Sequence, residues 1–240
     1  MKKQKCAQAL LLSVMLLNAG VVGANVVGQS GSASSDTDGV VQFKRDDTPV
    51  IPVDPEDPTV EVTDPDITVP VERGDLGILA RPAKFDFDIN EISSANLVGQ
   101  QSFNHVSGAK QFVSVWDGRL REHNWSLSVR MSTFANAGHV LTGAEISIKD
   151  LATSRITGGG TSLAAVATPS NLTAPNQVTI TSTGATSVLS TSGLAKEQSS
   201  IYWKTSDITL EIPGASLQGV NFNSPYEAVV TWTLTGTPDA

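Results

Sequence analysis

Alternation of apolar and polar residues dominates the chain from residue 74 onward. In residues 125–132 an apolar side chain occupies every second position, beginning with Trp125, and residues 226–235 repeat this pattern. Successive side chains of a β-strand point to opposite faces of a sheet, so this spacing predicts two half-buried strands. Shorter alternating runs predict further strands at residues 111–117, 145–149, 177–181 and 207–212.

Signals for helices are weak throughout the chain. No stretch keeps an apolar period of 3.6 residues, and only residues 193–199 could form one or two helical turns. Residues 151–200 are rich in Ser, Thr, Gly and Ala, and Gly158–Gly160 marks a loop. Asp117-Gly118 is a turn signal ahead of the Trp125 strand. We therefore predict an all-β fold, an antiparallel β-sandwich or barrel with long loops.

Composition changes sharply before residue 74. Residues 46–75 contain ten acidic residues, one basic residue and six prolines. Proline favours extended backbone and like charges repel, so we interpret residues 25–73 as an extended, acidic, Pro-rich tether and residues 74–240 as the folded domain. The net charge is -8 for this tether and -3 for the domain. A metal site at Asp54-Pro55-Glu56-Asp57 is an alternative, but the prolines hinder a tight oxygen cage.

The first 24 residues have the three parts of a secretory signal peptide. Lys2, Lys3 and Lys5 precede an apolar run, and small residues then predict cleavage after Ala24. An uncleaved membrane anchor is the alternative, although the apolar run is short for a span. No second apolar stretch approaches 20 residues, so we expect no membrane span after cleavage.

Charge and residue types exclude several classes of function. The 240 residues carry 16 basic and 24 acidic side chains, a balance that argues against nucleic-acid binding. Cys6 is the sole cysteine, and His105, His123 and His139 lack zinc-like spacing, so we expect no metal or cofactor. Asp86 and Asp88 would share a face of a strand. Such a pair can perform acid–base chemistry on glycosides, but a solvated polar face is the simpler interpretation, and we expect no enzyme.

Two short Trp-x-Leu motifs remain. Trp125-Ser126-Leu127 is the first, and Trp232-Thr233-Leu234 is the second, with Tyr226 six residues before its Trp and Pro238 four residues after its Leu. With this pair the chain resembles the WxL family of bacterial surface proteins, over about residues 45–240. Leu141-Thr142-Gly143-Ala144 and the Asp-Pro-rich leader are similar to the family as well. Asn124 and the stretch Phe85–Asp88 depart from its usual pattern.

The resemblance implies non-covalent attachment to the Gram-positive cell wall, with peptidoglycan as the ligand and Trp125, Leu127, Tyr226, Trp232, Leu234 and Pro238 as the motif residues. It also implies association with other surface proteins. An adhesin or surface-complex subunit that binds a partner protein or host matrix is an alternative function, and a wall hydrolase is another. The protein is expected to be secreted and wall-associated.

The tryptophans have two physical interpretations. Exposed indole rings could act as contact platforms. Alternatively, Trp125 and Trp232 lie on apolar strand faces and belong to the core, in which case loops and polar faces bind the ligand. We favour the core for these two. Trp203 follows Tyr202, so in a strand one of them faces outward, and Trp203 is a candidate contact residue.

Overall fold

β-Strands account for the regular structure of the residues that the structure describes, apart from short 3₁₀ segments at Ser94–Leu97, Thr205–Asp207 and Gly214–Leu217. The structure, a computed structural model, describes residues 40–42, 50–69, 75–106, 108, 110–120, 124–157, 164–167, 169–193, 195 and 197–236. Within these residues there is no α-helix. The predicted signal peptide, with Ala24, lies outside them, as do Pro238 and the Gly158–Gly160 loop.

The strands are, in chain order, β1 (Ile67–Thr68), β2 (Leu76–Pro82), β3 (Gln100–Asn104), β4 (Lys110–Asp117), β5 (Trp125–Met131), β6 (Phe134–Asn136), β7 (His139–Leu141), β8 (Glu145–Ile148), β9 (Ala152–Thr157), β10 (Ala164–Ala167), β11 (Leu172–Thr173), β12 (Val178–Ile180), β13 (Thr186–Thr191), β14 (Glu197–Lys204), β15 (Ile208–Pro213) and β16 (Val230–Gly236).

These strands form antiparallel sheets around a shared apolar core. One sheet has the order β1-β2-β4-β14-β9-β10, a second β11-β13-β5-β16, and a third β12-β8-β15-β3, while β6 and β7 form a hairpin. The largest apolar cluster draws buried residues from all three sheets, among them Val115, Leu127 and Ile146. The predicted all-β, antiparallel fold is confirmed.

The alternation of apolar and polar residues predicted several strands correctly. β5 buries Trp125, Leu127, Val129 and Met131, and β15 buries every second residue from Ile208. Each buried apolar side chain of this size stabilises the fold by about 1.5–3 kcal/mol relative to an exposed one, which holds these strands in register. The pattern of apolar residues therefore predicts which face of each strand meets the core.

The middle of the chain differs from its prediction. The described segments of residues 151–200 contain β9 to β13 and the start of β14, whereas the sequence predicted a strand there at 177–181 alone, which corresponds to β12. The helical turns expected at 193–199 are wrong for the described part, because Glu197–Ser199 belong to β14. This strand pairs with β4 on one side and β9 on the other, and two ladders of hydrogen bonds outweigh a weak local preference for helix. The predicted turn at Asp117-Gly118 does lie at the end of β4. The strand that follows it, β5, does not pair with β4 but with β13 and β16 in another sheet.

Residues 50–69, here called the strap, pack on the outer face of the β4–β14 sheet. The side-chain amide of Gln198 accepts a hydrogen bond from Val53 N–H at 3.1 Å and donates one to the Val53 carbonyl at 2.7 Å. Ile67 of the strap forms a second small apolar cluster with Ala80 and Phe112 of the sheet. The strap therefore covers apolar surface that the sheet would otherwise expose.

An ion pair fastens the acidic part of the strap. The Lys110 ammonium donates to Asp54 at 2.6 Å and to Glu56 at 2.9 Å. Burial alone would raise the pKa of Asp54, but the hydrogen bond and charge of Lys110, with backbone N–H groups of Glu56 and Asp57, hold it below its ordinary value. A lowered carboxylate pKa stabilises the folded state at neutral pH, and this contribution is lost as the pH falls through the lowered pKa.

The compact unit that contains the core runs from Thr48 to Ala240. The structure thus differs from the tether expected over residues 25–73, because its residues 50–69 are packed on the sheet. Prolines did not prevent this packing. Pro52 and Pro55 are themselves buried, and Lys110 neutralises the acidic side chains beside them.

Replacing Gln198 by Ala should loosen the strap. The change removes both hydrogen bonds to Val53 and leaves buried backbone groups unsatisfied, so we expect unfolding free energy to fall by about 1–3 kcal/mol. Urea denaturation measures this fall, and limited proteolysis reports new cleavage within residues 50–69. Gln218→Ala is the matched control, since that side chain is exposed. An unchanged denaturation midpoint for Gln198→Ala would show that the strap is held by other contacts.

Candidate functional site

The two Trp-x-Leu motifs lie side by side on neighbouring strands. β16 pairs antiparallel with β5, and the register places Leu234 opposite Leu127 and Gly236 opposite Trp125. Trp232 lies opposite Val129 in the same ladder. Motifs at distant positions in the sequence therefore form one continuous patch of a single sheet.

The first motif belongs to the core. Trp125 is 2% exposed and Leu127 is fully buried. The backbone N–H of Trp125 donates to the hydroxyl of Thr191 at 3.1 Å, which ties β5 to β13. These two side chains are out of reach of a ligand on the surface, as the core interpretation expects for Trp125.

The second motif is only partly buried. Trp232 and Leu234 pack against the core from β16, which is one of the two edge strands of its sheet. The Trp232 ring stacks on Trp203, with ring centroids 6.4 Å apart and planes inclined by 22°. One side of the Trp232 indole therefore packs on the core, while the rest of the side chain remains accessible. Trp232 is thus partly a core residue and partly a possible contact residue.

The prediction that Trp203 is a contact residue is wrong. It is 2% exposed, whereas the neighbouring Tyr202 points to the opposite face of β14 and lies under the Lys110 ammonium, 5.9 Å from the ring centroid. Ile201 and Trp203 share the inward face because strand side chains alternate. The outward member of the pair is therefore Tyr202.

A seam separates β16 from β2, the facing strand of the six-stranded sheet. The seam is closed at Gly236, where an added Cβ would lie 2.4 Å from Leu76 Cδ2 and 3.1 Å from Trp125 Cβ. The guanidinium of Arg119 also lies at this end, 3.3 Å from the same position. A side chain at position 236 would therefore force these groups to shift.

Arg119 is a buried cation that faces this end of the seam. Its residue exposure is 1%, and it makes a two-pronged ion pair with Asp117, at 2.8 Å from Nε and 2.7 Å from Nη2. A buried charge is tolerated when a partner and hydrogen bonds satisfy it. Leu234 of the second motif and Arg119 line the same cavity of about 440 Å³.

The other end of the seam opens into a groove of about 780 Å³. This volume lies within the range of about 300–1,000 Å³ that is usual for ligand sites. Trp232 and Tyr226 of the second motif both line it. Its other apolar side chains include Phe85, Phe134, Ile146, Ala228 and Val230, and its other polar ones are Arg81, Lys84, Ser132 and Glu227.

Hydrogen bonds hold Tyr226 at the rim of the groove. The Gln218 carbonyl, 3.0 Å from His139 Nε2, can only accept, so this nitrogen carries a proton. In the neutral ring Nδ1 then accepts from the Tyr226 hydroxyl at 2.8 Å, and that hydroxyl accepts from Asn221 N–H at 3.0 Å. The ring edge of His139 also packs on Tyr226, which fixes its orientation.

The strap supports the basic side of the groove. β1 of the strap pairs with the end of β2, where Thr68 lies opposite Arg81, and Ala83 N–H donates to the Asp66 carbonyl at 2.7 Å. Lys84 donates to Asp86 at 2.6 Å, and this bond and charge raise the pKa of Lys84. Both cations are therefore presented by a segment that the strap braces.

Asp86 and Asp88 do not share a strand face as expected. Phe85–Asp88 is irregular backbone, and Asp88 has a positive φ of 58°. Asp88 N–H donates to the Asp86 carboxylate in a local turn. The carboxylate of Asp86 is engaged with Lys84, so the geometry of a glycosidase pair is not formed.

A family model described as WxL domain surface cell wall-binding matches residues 30–238. The chain belongs to the WxL family. The resemblance seen in the two motifs is confirmed, and membership places the protein in association with the cell wall at the cell surface. No curated protein and no solved structure matches the chain. No helix in the described ranges is long and apolar enough to cross a bilayer.

Sequence reasoning missed four residues of this WxL site. Arg81 and Lys84 enter the groove because the strap directs the chain after β2, and no local signal marks them. Arg119 likewise gives no signal before the fold buries it. Gly236 could have been noticed, because a glycine within an alternating strand often marks a close approach of another chain segment.

Gly236→Ala should destabilise the WxL fold at the closed end of the seam. The new methyl group would overpack against Trp125 and Leu76, so we expect a loss of about 1–3 kcal/mol of unfolding free energy. Chemical denaturation measures it. Gly184→Ala is the matched control, because open space surrounds its Cβ position. Equal stability of both variants would contradict the close packing described for Gly236.

Proposed function

We propose that this WxL protein is exported and attaches non-covalently to wall peptidoglycan through the groove at Trp232. The observation that carries the proposal is that Trp232 and Tyr226, both from the distal motif, line one open groove with apolar and charged side chains. Partly apolar concave sites with a few polar groups are the usual form of ligand sites. The buried Trp125 then serves the fold, and Trp232 serves both the fold and the ligand.

The expected signal peptide at residues 1–24 supports export of the protein. A wall location also suits the charge distribution. Walls of Gram-positive bacteria carry anionic polymers, which a strongly acidic surface would avoid. Lys110 neutralises part of the acidic strap, and Arg81 and Lys84 place cations beside the groove, Lys84 in an ion pair with Asp86.

Association with a partner surface protein is the second candidate function. Phe222 is 76% exposed on the loop that precedes Tyr226, and Asn136 anchors this loop through the carbonyls of Asn221 and Ser224. A large apolar side chain on an anchored loop suits a protein contact. Phe222→Ser would weaken such a complex and leave binding to purified walls unchanged.

Trp232→Ala should weaken wall binding in protein that remains folded. Trp125→Ala removes a core side chain, and we expect it to cost about 3–5 kcal/mol of unfolding free energy. Trp232→Ala should cost less, because its ring is only partly buried. Co-sedimentation with purified peptidoglycan, at a temperature where circular dichroism shows both variants folded, separates the two effects. Parent-like binding by folded Trp232→Ala would move the binding site away from the groove.

Truncation tests the contribution of the strap to the groove. A protein lacking residues 25–47 should bind walls like the parent, because the compact unit begins at Thr48. A protein lacking residues 25–69 should bind more weakly and unfold at lower urea, because Arg81 loses its pairing with β1. The bound fraction and the denaturation midpoint are measured for both. Full binding without the strap would show that the groove forms independently of it.

A further inference from the structure

We propose that the groove binds the carboxylate-bearing peptide stems of peptidoglycan and not its sugar rings. The inference rests on the function proposed above and specifies its ligand. Peptidoglycan offers two chemically different parts, neutral sugar chains and short peptides with free carboxylates. The side chains of the groove discriminate between these parts by charge, by ring exposure and by the backbone edge beside them.

The charged donors of the groove favour the peptide stems. Two cations, Arg81 and Lys84, line the groove together with one acid, Glu227, and Lys84 also pairs with Asp86, so the preference comes from the donors that these cations retain and not from a net positive charge. Arg81 donates to the Pro82 carbonyl at 3.1 Å, and Lys84 donates to Asp86 at 2.6 Å. A guanidinium has five N–H donors and an ammonium has three, so both retain donors for a carboxylate.

Exposure of the aromatic ring also favours the peptide stems. A sugar stacks on a broad, open aromatic face. Trp232 is partly buried, and Trp203 covers one of its faces with the ring centroids 6.4 Å apart. Trp232 and Phe85 give the groove an apolar surface. This surface suits the aliphatic side chains of a peptide stem, such as the methyl groups of its alanine residues.

The edge of the sheet provides the backbone contacts that a peptide needs. β16 pairs with β5 on one side and with no other strand in the described part of the chain on its other side. An open strand edge offers N–H and C=O groups to an extended peptide. The groove runs beside this edge at Val230 and Trp232, so a peptide there can meet backbone groups and both cations.

Two ligands and three variants test the inference. Co-sedimentation compares intact peptidoglycan with glycan strands from which an amidase has removed the stems, and calorimetry compares a synthetic stem pentapeptide with the same peptide amidated at every carboxylate. Lys84→Gln and Arg81→Gln should each weaken binding by about two- to fivefold, as expected for exposed charge pairs. Lys149→Gln is the control, because that lysine is exposed and lies outside the groove lining.

The inference expects binding to intact peptidoglycan and to the free-acid peptide, and at least tenfold weaker binding to bare glycan and to the amidated peptide. Parent-like binding to bare glycan overturns it and leaves the proposed function standing. Unchanged affinity in Lys84→Gln and Arg81→Gln, with melting curves that match the parent, also overturns it. Absence of binding to intact peptidoglycan overturns the proposed function itself. Capture of a partner surface protein at the groove in place of peptidoglycan would do the same.

Discussion

Pairing of β16 with β5 is the interaction on which the site depends. It adds a late segment of the chain to a sheet whose central strand carries the first motif, and it sets Leu234 against Leu127 and Gly236 against Trp125. Because side chains alternate along a strand, this register directs Trp232 inward onto Trp203. A shift by one residue would turn Trp232 and Leu234 to solvent and remove both from the seam.

The two ends of the seam have different physical roles. At Gly236 an added side chain would meet Trp125 and Leu76, and the buried Arg119–Asp117 pair lies at the same point. This close approach is local, because Leu76, Leu234 and Gly236 also line the cavity of about 440 Å³ beside Arg119. At the other end, residues that follow β2 and residues that precede β16 line the groove at Trp232.

The strap links the N-terminal part of the compact unit to this site. Its Gln198 and Lys110 contacts hold it on the β4–β14 sheet, and its last residues pair with the end of β2. Arg81 and the backbone of Ala83 are consequently placed by a segment whose composition suggested a solvated tether. Acidic residues and prolines did not exclude it from the fold, since Lys110 compensates the nearest charges and Pro52 and Pro55 are buried.

The sequence by itself determined which strand faces are apolar, the all-β class and the family, because alternation and short motifs are local properties. It predicted the burial of Trp125 and the strands β5 and β15 from the same alternation. It could not distinguish the core role of Trp125 from the mixed role of Trp232, because both follow one pattern and only strand order shows that β16 lies at an edge. The strand β14, the strap, the buried Arg119 and the basic groove were decided by tertiary structure. Each arises from contacts between residues far apart in the chain, where pairing and burial outweigh local preference.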